Sequence, residues 1–447
     1  MRIYDTYKSS GIEWIGEIPG HWEVMRFAYL FSFSRGLGIT KQDLLNEGIP
    51  CVNYGEIHSK YGFTVDPELQ QLKCVEEVYL ETSDKSLLRR GDFVFADTSE
   101  DIEGSGNFTC LDSDTPTFAG YHTVIARHSS GNSYKFLAYY FDSLEYRNQI
   151  RSSVSGIKVY SITQGILKNS NVLLPPPSEQ TAIAIYLDRK TAEIDELIAD
   201  KKRLLELYEE EKTAIINQAV TKGIDPDVPM KDSGIEWLGE IPEHWEVKRL
   251  KYVADSYPSN VDKKSKEGEK DVLLCNYINV YKNDFITSEL QFMKATASDS
   301  QIEKFKLKKG DVIATKDSET PDDIAVPALV REDFENVICG YHLNFIRPKL
   351  LIGEYLFRFF QTQYTKGYFF NAANGVTRYG IGAEKFSNFP VCLLSTEEQN
   401  SIVHHIKTEC SRIDIQMART QKLIDLLTEC RTALISEVVT GKVKVSD

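Results

Sequence analysis

Two short segments combine residue types that can approach a nucleic acid closely. Gly156-Ile157-Lys158-Val159-Tyr160-Ser161 and Gly375-Val376-Thr377-Arg378-Tyr379-Gly380 each bring together glycine, a cation (Lys158; Arg378) and a tyrosine (Tyr160; Tyr379). Cations reach phosphate oxygens and base edges, and glycine lets the backbone come near them. Taken singly, each segment reads equally well as a strand–turn with a surface cation, so the weight lies in finding the pattern twice. Asn53-Tyr54 and Asn276-Tyr277 also recur, and Lys263-Lys264 head a basic run; these residues join the candidate nucleic-acid contacts. The formal net charge of −14 opposes a simple electrostatic grip, since affinity for DNA comes largely from Lys and Arg on phosphates. Much of the acid sits in helical segments, as in Glu206, Glu209, Glu210 and Glu211, so the balance decides nothing.

Other chemistry is missing. There is no GxxxxGK[ST] phosphate loop, and Gly380-Ile381-Gly382 lacks the third glycine of a dinucleotide fingerprint. No HExxH occurs, and His404-His405 are helix neighbours that point apart. His21 and His244 stand beside Trp22 and Trp245, where packing and hydrogen bonding are their expected roles. His122 and His342 recur without a nucleophile and are expected to be structural hydrogen-bonders. The eight cysteines are scattered with no CxxC pair, which argues against zinc ribbons and disulfide frameworks and points to a reduced cytoplasm. The reading is no catalytic residue, no metal and no cofactor in this chain. The N-terminus has no apolar signal core, and no apolar run approaches the ~18 residues of a membrane helix.

The elements that must position these residues are themselves repeated. Ser10–Val24 reads SGIEWIGEIPGHWEV and Ser233–Val247 reads SGIEWLGEIPEHWEV, differing only at Ile15/Leu238 and Gly20/Glu243. Weaker echoes follow in the same order: Arg90-Gly91-Asp92 with Lys309-Gly310-Asp311, Gly120-Tyr121-His122 with Gly340-Tyr341-His342, and Gln180…Ile183 with Gln399…Ile402. The chain is therefore a tandem of two similar units. At 447 residues, with 42% hydrophobic and 26% charged residues, it has the make-up of a multidomain globular protein. The stretches from about 20 to 177 and 243 to 394 carry short apolar runs between turn signals and predict mixed α/β globules dominated by short strands.

Two segments are plainly helical. Residues 178–222 contain neither Gly nor Pro, and Leu187, Ile194, Ile198, Leu205, Tyr208 and Ile215 form a stripe at helical spacing, stopped by Gly223. The second stripe, from about 396 to 440, is Ile406, Ile413, Met417, Ile424, Leu427 and Leu434, opened by Ser395 and Glu398 at capping-box spacing. Helices of roughly 65 Å cannot bury such stripes on one globule each. The two stripes are expected to bury each other as an antiparallel pair, and packing of each helix on its own globule is given the smaller share.

The opening Gly-Ile-Glu-Trp…Ile-Pro-x-His-Trp-Glu-Val segment resembles the one that begins each half of the specificity subunits of type I restriction–modification enzymes. So does the junction Leu174-Pro175-Pro176-Pro177-Ser178-Glu179-Gln180…Ile183; the second junction, Leu393-Leu394-Ser395-Thr396-Glu397-Glu398-Gln399…Ile402, lacks the prolines but keeps Glu-Gln and Ile. The resemblance implies an α+β chain of two tandem mixed α/β target-recognition domains. Two long helices separate them and pair as an antiparallel coiled coil, giving a pseudo-twofold repeat. The implied boundaries are a first recognition domain over 1–177 (opening repeat 8–26), a long helix over 178–224, linker and second opening repeat over 225–242, a second recognition domain over 243–394, and a helix and tail over 395–447. The resemblance implies a non-catalytic subunit that reads a bipartite double-stranded DNA site, one half per globule. Its helices, with Leu187, Ile194, Ile198, Leu205, Tyr208, Ile413, Met417, Ile424 and Leu427 as pairing or docking residues, would hold two methyltransferase subunits. Those partners would use S-adenosylmethionine to methylate adenine, and motor-nuclease subunits would use ATP and Mg. A long-helix scaffold without DNA readout, or a self-sufficient methyltransferase or nuclease, are the rival readings.

Overall fold

The computed structural model describes residues 3–128, 131–156 and 159–445. The chain divides into two compact units, Met1–Lys201 with Lys422–Asp447, and Lys202–Gln421.

The two units share a plan. In the first, a five-stranded sheet runs Phe31–Arg35, Thr123–His128, Phe93–Ala96, Phe108–Leu111, Thr64–Val65, with the last pair parallel and the rest antiparallel. In the second, Ala254–Pro258, Leu343–Pro348, Val312–Thr315, Pro327–Val330 and Phe285–Ile286 repeat that order and those directions. Phe93-Val94-Phe95-Ala96 and Val312-Ile313-Ala314-Thr315 are continuous apolar or near-apolar runs, and every residue in them is buried. A strand covered on both faces needs that composition, so these runs sit at the sheet centre. A second sheet packs beside each: Lys73–Val75, Ile49–Val52, Thr117–Ala119, Leu87–Leu88 in the first unit, and Met293–Ala297, Lys270–Cys275, Val337–Cys339 in the second.

The repeated Arg/Lys-Gly-Asp motif is the turn leading into each central strand. Asp92 accepts from Arg89 N and pairs with Arg127 Nε at 2.9 and 2.8 Å. Asp311 likewise accepts from Lys308 N and pairs with Arg347 at 2.7 Å. Both aspartates are buried and ion-paired, so the motif ties the turn before the central strand to the strand beside it.

The Glu-Gln junctions act as clamps. Gln180 takes Ser133 N on its Oε1 and gives its amide to Pro175 O; Gln399 does the same with Ile352 N and Leu394 O. Each buried glutamine thus joins the start of a long helix to the start of the unit's buried helix, Tyr134–Asp142 or Gly353–Phe360. The glutamates next door face the opening repeats. Glu179 accepts from His21 and from the Tyr4 hydroxyl; Glu398 accepts from His244 at 3.0 Å and from Trp245 Nε1 at 2.8 Å. Trp22 and Trp245 are fully buried, as a packing motif requires, whereas Trp14 and Trp237 are exposed.

The long helices span Pro177–Lys222 (46 residues) and Thr396–Val439 (44 residues). Glu398 N bonds Ser395 Oγ at 3.2 Å, one half of the capping box read from the sequence, while the Glu398 carboxylate turns to His244 and Trp245. Leu187 from one helix and Ile435, Val438 and Val439 from the other enter the first unit's core around Trp22. Ile216, Ala219 and Val220 join Ile402, Ile406 and Cys410 around Trp245 in the second. The helix ends are therefore globule core, a larger share than the stripe argument gave to such packing. Ile413 and Ile424 are buried; Ile194, Ile198, Leu205, Tyr208, Met417 and Leu427 are half-buried. Cross-helix ion pairs accompany them within each unit: Arg431 to Asp195 at 2.9 Å in the first, and Lys212 to Asp414 and Arg412 to Glu211 at 2.8 Å in the second.

Seven of the eight cysteines are buried and all are free. Burial pushes the Cys275 and Cys392 thiols up to about 12, so they are inert packing groups. No helix among the described residues is long and apolar enough to cross a membrane.

Candidate nucleic-acid interface

Each unit carries a cleft built from equivalent parts. A two-stranded ladder forms one wall: Thr98–Ser99 with Tyr160–Ser161 in the first unit, Asp317–Ser318 with Tyr379–Gly380 in the second. Ser99 faces Tyr160 and Ser318 faces Tyr379, so the register is the same. A short helix forms the opposite wall, Tyr54–Ser59 or Tyr277–Tyr281. The first cleft has a volume of about 600 Å³ and is lined by Tyr54, His58, Glu100, Asp101, Glu103 and Val159 among others. The second, about 580 Å³, is lined by Tyr277, Tyr281, Asp317, Glu319, Asp323 and Arg378 among others.

Beside each ladder lies an Asp–His pair. His122 Nδ1 donates to Asp97 at 3.2 Å, and His342 Nδ1 donates to Asp317, which also holds Lys316 Nζ at 3.2 Å. Both histidines have positive φ, 53° and 67°. A left-handed non-glycine residue costs about 1–3 kcal/mol, and such residues gather at functional sites. They are the hydrogen-bonders read from the sequence; their strain and their aspartates were not legible there.

The aromatic walls are polarised by their partners. His58 Nε2 donates to Thr98 O at 2.9 Å, which fixes the tautomer and leaves Nδ1 to accept from the Asn107 amide at 2.9 Å. In the second unit Tyr281 replaces His58, stacks on Tyr277 with centroids 5.4 Å apart, and donates to Asp323 at 2.5 Å. The Asp323 hydrogen bond raises the Tyr281 hydroxyl above its ordinary value; burial, then Asp323, does the same for Tyr277. Both stay protonated donors.

The candidate residues separate on this frame. Tyr54, Tyr277 and Arg378 line the clefts, and Tyr160 and Tyr379 lie on the ladder strands. Asn53 is only 2% exposed and gives its amide to Cys51 O and Glu56, so it supports the cleft helix. Asn276 caps the matching helix through Ile278 N and Asn279 N. Lys263 and Lys264 are exposed on a loop that reaches Tyr341 N through Val261 O, outside the cleft lining. Lys158 lies outside the described residues. The sequence reading missed Asp97, Asp317, His58, Tyr281 and Asp323. Only the doubled Gly-Tyr-His hinted at them.

The profile of the type I restriction modification DNA specificity domain matches the chain twice, over residues 19–207 and 242–424. The chain belongs to that family. Among its relatives, the putative type I restriction enzyme MjaX specificity subunit of Methanocaldococcus jannaschii is 25% identical across 96% of both chains. The EcoKI specificity subunit of Escherichia coli is 22% identical, covering 61% of this chain and 57% of its own. The fold is shared with a chain solved in work on complex assembly and conformational transition of the type I R-M system, at TM-score 0.69 and 15% identity, covering 94% of this chain and 98% of that one. It is also shared with the HsdS subunit of Thermoanaerobacter tengcongensis, at TM-score 0.54 and 15% identity over 95% and 98%. As a specificity subunit the chain supplies DNA recognition to a type I restriction–modification system. Both matches are to specificity domains, and nothing in them indicates a catalytic domain. Among the described residues no group of three or more His, Cys, Asp or Glu is placed to hold a metal ion.

Proposed function

We propose that the two clefts are the DNA-reading surfaces, each unit reading one half of a bipartite double-stranded site. The observation that carries this is the recurrence of one constellation in both units: a ladder in the same register, a left-handed histidine on an aspartate, and an aromatic helix across a cleft of like volume. Around this shared frame the lining side chains differ, which suits surfaces reading different sequences. The long helices pair as an antiparallel coiled coil under a pseudo-twofold repeat, a reading supported by the cross-helix ion pairs within each unit. They dock two methyltransferase subunits that bring S-adenosylmethionine. Motor-nuclease subunits bring ATP and Mg, and the chain itself performs no chemistry in the cytoplasm.

The test is made in the assembled complex. Tyr54→Ala should weaken discrimination in one half of the methylated motif about 10-fold (~1.4 kcal/mol), and Tyr277→Ala should do so in the other. Methylated-base sequencing of host DNA reads this directly. If both variants leave motif and DNA affinity unchanged, the clefts are not the reading surfaces.

A further inference from the structure

Among the matched positions at which the two clefts differ, one exchanges an apolar side chain for a cation. A glycine is closely covered before each ladder: a Cβ on Gly156 would lie 2.2 Å from Val159 O, and one on Gly375 would lie 2.0 Å from Arg378 O. With Ser99 opposite Tyr160 and Ser318 opposite Tyr379, Val159 and Arg378 occupy the same place. Val159 is 52% exposed. Arg378 is exposed too, on a loop closed by paired backbone bonds between Asn374 and Gly380 at 3.1 and 2.9 Å.

The surroundings decide what Arg378 meets. Its Nη2 lies 3.4 Å from His342 Nδ1, but that nitrogen's proton is committed to Asp317 and guanidinium cannot accept, so two donors face each other and no hydrogen bond forms there. Arg378 makes no ion pair among the described residues. The neighbouring lining residues Asp317, Glu319 and Asp323 are carboxylates, which repel a phosphate and accept from base amino groups. A cation among acceptors suits a base edge, and the planar five-donor fork matches the O6 and N7 acceptors of guanine in the major groove. We propose that Arg378 reads a guanine in the half-site of the second unit, and that Val159 leaves the first unit without that contact. This rests on the clefts being DNA-reading surfaces.

The experiment uses the assembled specificity–methyltransferase complex, with the methylated motif mapped and binding measured across salt. Both Arg378→Ala and Arg378→Lys should relax a single G·C position in one half-site by about 10- to 100-fold, with the other half-site unchanged as the internal sign of an intact fold. Val159→Arg should add a preference for guanine in the other half. If Arg378→Lys keeps the motif while Arg378→Ala weakens all sequences alike and lowers the salt slope by about one, Arg378 holds a phosphate and the guanine assignment is overturned. It is equally overturned if Tyr277→Ala alters the motif but neither Arg378 variant does; the cleft reading then stands. A Val159→Arg chain with an unchanged motif overturns the claim that this position separates the two units.

Discussion

Trp22 and Trp245 occupy the same place in the two opening repeats, yet their indole N–H groups meet different fates. Trp245 Nε1 donates to Glu398 at 2.8 Å. In the first unit the matching Glu179 is taken by Tyr4 and His21, and buried Trp22 Nε1 has no hydrogen-bond partner among the described residues. A hydrogen bond to a charged group contributes about 1.5–3 kcal/mol, while an unsatisfied buried donor costs about 1–3 kcal/mol. Trp245→Phe should therefore destabilise its unit by about 2 kcal/mol more than Trp22→Phe destabilises its own, the side-chain volume removed being the same. Hydrogen exchange followed on peptides of each unit reports the two separately. Equal losses would show that Trp22 Nε1 is satisfied after all. Nothing in the repeat foretells this asymmetry: SGIEW and HWEV are the same in both copies, and Tyr4 stands outside the repeat.

At the scale of elements, each long helix ends on a glycine that faces an opening repeat. Gly223 and Gly441 both have positive φ, 79° and 74°. The space beyond them differs. A Cβ at Gly223 would find Trp245 at 3.6 Å and Pro242 at 3.7 Å, ordinary contacts, whereas one at Gly441 would lie 2.3 Å from Pro19 Cδ. Alanine at either site costs about 1–2 kcal/mol for the left-handed backbone. Gly441→Ala adds overpacking of about 1–3 kcal/mol, so it should raise proteolytic nicking of the first unit well above the effect of Gly223→Ala on the second. Comparable nicking would mean the Pro19 contact yields freely. The helices themselves were legible, because an uninterrupted stripe with a Gly stop is a local signal. The clefts were not. Their walls depend on which two-residue strands pair, and the cleft side chains change type between copies, His58 to Tyr281 and Val159 to Arg378. Asn53 recurs with Tyr54 and proves to be buried beneath the cleft helix, bonded to Cys51 and Glu56.

For the whole molecule, the sequence repeat and the folding units do not coincide. The repeat divides the chain near Gly223, but the first unit takes in Lys422–Asp447 and the second is the single stretch Lys202–Gln421. The final segment buries Ile435, Val438, Val439 and Val443 in the first unit's core, beside Trp22 and Leu187. At about 1.5–3 kcal/mol for each fully buried aliphatic side chain, losing four removes an amount comparable to the ~5–15 kcal/mol that keeps a domain folded. Ending the chain at Gln421 should therefore unfold the first unit, the one distant in sequence from the cut. The second unit should keep its amide protection, because Ile402, Ile406 and Cys410 still cover Trp245 and Lys212 still meets Asp414. Supplying residues 422–447 as a separate peptide should restore protection to the first unit. Should the truncated chain instead lose protection in the second unit, or in both alike, the units are not the independent bodies that one-half-site-per-unit reading requires.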